Sequence, residues 1–224
     1  MAKPMISEID FVGLVDADPN VGLMIVSGDG EVIWYSKNVP SLFGADPDHD
    51  YVGKTVNEIF HQDFANERLD WIQQVLDDGK TMRVSHVYQG DRMVSTIMPL
   101  DRHTEPPYAT ILTRRERRES EHSTAETFSR FVDLGPLAAL SARELEVLVL
   151  IGHGHNVPET AKMLHRSPRT IEQHKASIGR KLGISTIADI ARMVGEVGLQ
   201  IDDLKLQQFK ALRAEYREPS KELT

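Results

Sequence analysis

The 224-residue chain contains no cysteine. That excludes disulfides, thiolate metal sites, a cysteine nucleophile and cysteine-based flavin photochemistry, and it fits a reducing compartment. Aromatic residues make up only 6%. No run of about 18 apolar residues occurs, so no membrane-spanning helix is expected. The first ten residues lack a basic stretch followed by an apolar one, so no secretory signal is read there, and the expected location is cytoplasmic. Also missing are a phosphate-binding glycine loop, a nucleophile elbow and an HExxH pair. No enzyme activity, no catalytic residue and no metal site is therefore expected. His153 and His155 have no carboxylate at ligand spacing and read as a polar turn.

Positive charge is scarce overall, with a formal net charge of −8, but it is unevenly placed. Residues 1–110 hold 8 Lys and Arg against 18 Asp and Glu, whereas residues 141–183 hold 7 against 4. An acidic front half is thus joined to a locally basic segment. A nucleic-acid partner responds to the few cations that touch phosphate rather than to the total charge.

Three zones follow. Residues 15–115 read as mixed strand and helix. Residues 116–139 are polar and read as a linker that can be helical. The basic cluster Arg114, Arg115, Arg117 and Arg118 is interleaved with Glu116, Glu119 and Glu121, as on a solvated helix. Residues 140–199 carry repeated helix-start signals, and residues 200–224 form a tail in which Leu204 to Tyr216 is expected to be a helix, with Leu204, Phe209 and Leu212 apolar.

The helix signals are specific. Ser141 with Glu144 makes a capping box, flanked by Leu140 and Leu145 at the staple positions. Asn156 with Glu159 repeats the pattern. Ser167 and Pro168 open a longer helix that Gly183 ends, with Ile171, Ile178 and Leu182 as its buried stripe. Thr186 with Asp189 starts a fourth helix. The short turn from Leu164 to Ser167 gives helix-turn-helix geometry.

The segment LSARELEVLVLIGHGHNVPETAKMLHRSPRTIEQHKASIGRKLGI resembles the LuxR/FixJ-type response-regulator DNA-binding domain. The matching positions include Leu140, Ser141, Arg143, Glu144, Val147, Leu148, Ala161, Leu164, Thr170, Ile171, His174, Lys181, Leu182 and Gly183. The resemblance implies a four-helix domain that binds double-stranded DNA as a homodimer and regulates transcription. It places Glu172, Gln173 and Ala176 at base-facing positions, and Arg169, Thr170, Lys175, Arg180 and Lys181 at phosphate positions. A cation is frequent where Glu172 stands, and a glutamate would instead accept from cytosine N4. Lysine is often found where Pro158 stands.

In the front half, Val21–Ser27 and Glu31–Tyr35 read as a hairpin turned by Gly28-Asp29-Gly30. Short helical pieces follow, then an amphipathic helix from Phe64 to Asp78. Thr81–Gln89, Arg92–Leu100 and Tyr108–Arg114 read as three more strands. Two strands, helices and three strands resemble a PAS domain. This implies a five-stranded antiparallel sheet with helices on one face, acting as a sensor in signal transduction. The expected fold class is therefore an α+β PAS-like domain followed by an all-α helix-turn-helix domain. No aspartate is nominated as a phosphoacceptor, because the strand–helix alternation of a receiver domain is absent.

Residues expected near a ligand pocket are Trp34, Phe60, Trp71, Met82, Val84, His86 and Met93. Met82, Val84 and His86 share a strand face by period two. The adopted reading is a core filled by side chains with no cofactor required; the alternative makes His86 or His61 an axial haem ligand. The input is then a small molecule or a signalling protein. The competing functional reading is a PAS-based adaptor whose helical half docks a protein.

Overall fold

The computed structural model describes residues 10–101, 104–115, 127–208 and 210–217. The chain divides into two compact units. Of the described residues, the first comprises 10–84, 95–101, 104–114 and 212–217, and the second comprises 85–94, 115, 127–208 and 210–211.

Strand β1 (Val21–Ser27) and strand β2 (Val32–Tyr35) form the expected hairpin. Helices α1 (Phe11–Asp16), α2 (Val39–Leu42), α3 (Val56–Ile59) and α4 (Gln62–Asp78) are followed by β3 (Met82–Tyr88), β4 (Asp91–Asp101) and β5 (Tyr108–Arg115). The pairing order of the first five strands is β2-β1-β5-β4-β3. The PAS-like element order is thus present, as an α+β domain.

Among the described residues the sheet nevertheless has seven strands rather than five. Strand β6 (Thr127–Val132) arises in the stretch read as a linker, and β7 (Gln207–Gln208) in the stretch read as a tail helix. Phe131 and Val132 pair in parallel with Gln207 and Gln208. In the segment TFSRFV, Ser129 and Val132 are buried while Phe128 is 63% exposed. Aromatic and β-branched residues with one covered face suit a strand, and this local preference prevails over the polar composition upstream. The expected tail helix is replaced by 3-10 turns at Ile201–Lys205 and Ala214–Tyr216 on either side of β7. Arg117, Arg118, Glu116, Glu119, Glu121 and Phe209 lie outside the described residues.

In the first unit, α4 lays Trp71, Ile72, Val75 and Leu76 against Val26, Val84, Ile97 and Ala109 of the sheet. Gly79 ends α4 in the left-handed region at φ 67°. In the second unit, helices α5 (Ala142–Gly152), α6 (Val157–Met163), α7 (Pro168–Leu182) and α8 (Ile187–Val197) pack around Leu145, Leu148, Ile171, Ile178, Ile190 and Val194. Val87 of β3 and Val132 of β6 belong to this same core. No helix among the described residues is long and apolar enough to cross a membrane.

Candidate nucleic-acid interface

Every helix of the C-terminal region begins on the cap its sequence specifies. Ser141 Oγ accepts from Glu144 N at 3.3 Å, and Glu144 Oε2 accepts from Ser141 N at 2.7 Å. Asn156 and Glu159 exchange the equivalent bonds at 2.9 Å each. Ser167 Oγ accepts from Thr170 N at 3.1 Å, with Pro168 in the first turn of α7. Thr186 and Asp189 form the capping box of α8, the third among these four helices. Such caps satisfy amides that the helix leaves unpaired and fix where each axis begins.

Helix α7 is exposed on one side and buried on the other. Ile171 and Ile178 are fully covered. At 100° per residue, Arg169, Gln173, Ala176 and Arg180 fall on a single stripe opposite them. All four are exposed. Glu172 and Lys175 lie on one flank, where Lys175 Nζ reaches Glu172 Oε2 at 3.0 Å. Both line a groove of about 370 Å³ with Gly179, Ile184, Thr186 and Ile190. Thr170 is drawn into the cap, its hydroxyl 2.9 Å from that of Ser167.

Lys181 is placed differently from the other cations of α7. Its Nζ donates to Glu144 Oε2 at 2.7 Å, and the Glu144 side chain is only 7% exposed. The Lys181 ammonium, the Ser141 amide and the Ser177 hydroxyl together hold the Glu144 carboxyl down at about 2, from an ordinary value of 4.5. The pair ties the last turn of α7 to the first turn of α5. In the folded domain the Lys181 ammonium is thus engaged by Glu144. Glu144 was legible only as a capping residue; its second bond, to a residue 37 positions later, has no local sequence signal.

A second ion pair lies elsewhere in the same unit. Arg92 donates to the Gly198 carbonyl at 2.9 Å, to Ser85 Oγ at 3.1 Å and to the Asp203 carboxylate. Gly198 is the left-handed residue that ends α8. Burial raises the Asp203 pKa, with the Arg92 charge opposing that shift. His153 Nε2 lies 3.0 Å from the Leu199 carbonyl. His153 and His155 thus sit at the turn after α5, and no cluster of metal-ligating residues is found among the described residues.

The seven residues expected at a ligand pocket do not converge. Trp71, Met82 and Val84 meet in the core beneath α4. Trp34 pairs with Ile25, while Tyr35 pairs with Met24. The register shift between Ile25 and Val26 gives β2 one extra residue, so Trp34 is on the face opposite Met24 and Val26. Phe60 packs with Tyr35, Tyr51 and Leu212 in another cluster. His86 and Met93 are buried at the far end of the β3–β4 hairpin, within the second unit. His61 is exposed, immediately before α4.

Capped helices around one core, with α6 and α7 joined by a short turn and α7 presenting a polar stripe, define a helix-turn-helix domain. Residues 138–194 match the family described as bacterial regulatory proteins, luxR family (GerE). The chain therefore carries a luxR-type domain of a family of transcription regulators, in line with the resemblance read from its motif. The oxygen regulatory protein NreC of Staphylococcus aureus strain JH9 is 32% identical over 110 residues, covering 49% of this chain and 43% of that protein. The chain thus spans less than half the length of this curated relative. Among solved structures, a Vibrio cholerae VqmA–ligand–DNA complex aligns over 86% of this chain and 91% of that one, with 18% identity and a TM-score of 0.45. A domain of an HTR-like protein from Haloarcula marismortui covers 44% of this chain and 98% of that one, with 21% identity and a TM-score of 0.39.

Proposed function

We propose that this chain is a sequence-specific, double-stranded-DNA-binding transcription regulator that acts as a homodimer. Its PAS-like domain receives a small molecule or a protein partner, and that input biases DNA binding. The observation that carries this reading is the exposed stripe on α7: two arginines at its ends, Gln173 and Ala176 between them, with the Lys181–Glu144 ion pair tying the helix to α5. Arginines at the ends suit phosphates, and a short polar centre admits close approach to base edges. No chemical step is required; function is a difference in affinity. Working in the cytoplasm follows from this role.

The test is selection of bound sequences from random duplex DNA, followed by gel shifts over a salt series. Binding should weaken steeply with salt and favour one sequence class. Gln173→Ala should cost roughly 1–3 kcal/mol at particular base pairs. An even loss across all sequences would remove Gln173 from the reading position. Absence of any salt-dependent binding would favour the adaptor, in which the helical half docks a protein.

A further inference from the structure

The described part of the tail does not end in the second unit. Residues 212–217 belong to the first unit. There Leu212 is only 1% exposed and shares a core with Val32, Ala45, Tyr51 and Ile59. The segment is held mainly through its backbone and through backbone acceptors. Arg213 N donates to the Ile59 carbonyl at 3.1 Å, and Asp46 N donates to the Tyr216 carbonyl at 3.0 Å. Phe60 bridges Leu212, and Ala45 bridges Arg217. The Arg213 guanidinium reaches the carbonyls of Phe60 at 3.0 Å and Asn57 at 2.8 Å. The Tyr216 ring stands 5.1 Å from His49 and 5.8 Å from Tyr51. Burial, with the Asp46 carboxylate nearby, pushes the Tyr51 hydroxyl up to about 12, and that hydroxyl donates to the Asp46 carbonyl.

This is how a domain holds a bound peptide: main-chain bonds supply affinity, and a pocket selects a side chain. It is not how a core element is fixed. Only Leu212 is fully covered; Arg213, Ala214 and Glu215 are exposed, and Tyr216 and Arg217 are half-buried. The groove itself is made by residues 32–60 and does not need the tail to complete a strand or helix of its own. We propose that this groove is a peptide-accepting site whose resident occupant is the chain's own tail. A partner segment that presents a leucine and, four residues on across a 3-10 turn, a tyrosine displaces it. The tail thereby acts as an intramolecular competitor, present at the high effective concentration that tethering confers. The proposal does not depend on DNA binding.

The test uses the full chain and a fluorescein-labelled synthetic peptide of residues 210–218. Leu212→Asp in the chain should empty the groove and leave it open. The altered chain should bind the peptide saturably, and the unaltered chain about tenfold or more weakly, because burying a leucine contributes at least that factor. A peptide carrying Leu212→Asp should not bind either chain. An altered chain that keeps its far-UV spectrum and cooperative melt yet ignores the peptide would overturn the proposal, as would equal binding by both chains. Hydrogen exchange on the unaltered chain provides a second reading that needs no variant. The Asp46 and Arg213 amides should exchange through local opening, well before that of Val26; exchange of all three only on global unfolding would equally sink the idea.

Discussion

Lys181→Met tests whether the cation at the end of α7 works inside the domain or toward a ligand. Methionine keeps the stem and removes the ammonium from Glu144 Oε2, 2.7 Å away. The depression of Glu144 from 4.5 to about 2 corresponds to about 3 kcal/mol for all of its partners together. Lys181 is the largest contributor, but its side chain is 38% exposed and screened by water. Its share is therefore discounted to about 1–2 kcal/mol. Urea denaturation at pH 7 should show that loss. The pH dependence follows from the direction of the shift. A carboxyl whose folded-state value is depressed contributes fully above about pH 4.5, and the contribution fades as pH falls toward 2. The stability gap between the two proteins should therefore close across that window. A gap that persists unchanged at pH 3, or no loss at pH 7, would refute the reasoning.

Arg92→Ala removes the guanidinium from Asp203, in a pair whose side chains are 13% and 12% exposed. A loss of about 2–3 kcal/mol at pH 7 is expected in chemical denaturation, because an uncompensated carboxylate is left largely covered. Burial already raises Asp203, and the loss of Arg92 raises it further, so the deficit should shrink once acid protonates the group in both states. Gly183→Ala places a methyl where nothing lies within 4 Å, at φ +67°. Thermal denaturation should report about 1 kcal/mol of destabilisation, due to the backbone alone.

What was legible in the sequence was local. Each cap of the C-terminal domain is written within four residues, as in Ser141 to Glu144 and Thr186 to Asp189, and the structure places all four helices where those signals put them. The β1–β2 hairpin and the long helix α4 were readable for the same reason. What was not legible depends on partners distant in sequence. Strand β6 needs the edges of β3 and β7 to exist at all, and β7 is two residues long, too short for any periodic signal. The displacement of Trp34 rests on one extra residue in β2, which alternation alone does not reveal. Leu212 shows only as one of several apolar residues of an expected tail helix, and the fold alone discloses that it packs with Val32 and Ile59.

The same distinction bears on how strongly the proposed interface should respond to salt. The resemblance assigns four cations of α7 to phosphate: Arg169, Lys175, Arg180 and Lys181. In the folded domain Lys175 is paired with Glu172, and Lys181 with Glu144. Among the described residues, Arg169 and Arg180 have no ion-pair partner. Each phosphate neutralised adds about −0.9 to the slope of log affinity against log salt. A dimer using only the two arginines of each copy should therefore give about −4, against about −7 if all four cations reached the backbone. A gel-shift series from low to physiological salt separates these values. Arg180→Ala should then flatten the dimer's slope by about two units, since both copies lose the contact, whereas Lys181→Met should leave the slope unchanged while lowering stability. If Lys181→Met flattened the slope as much as Arg180→Ala, the ammonium would be leaving Glu144 on binding. The ion pair would then be a latch that DNA breaks rather than a strut that positions α7.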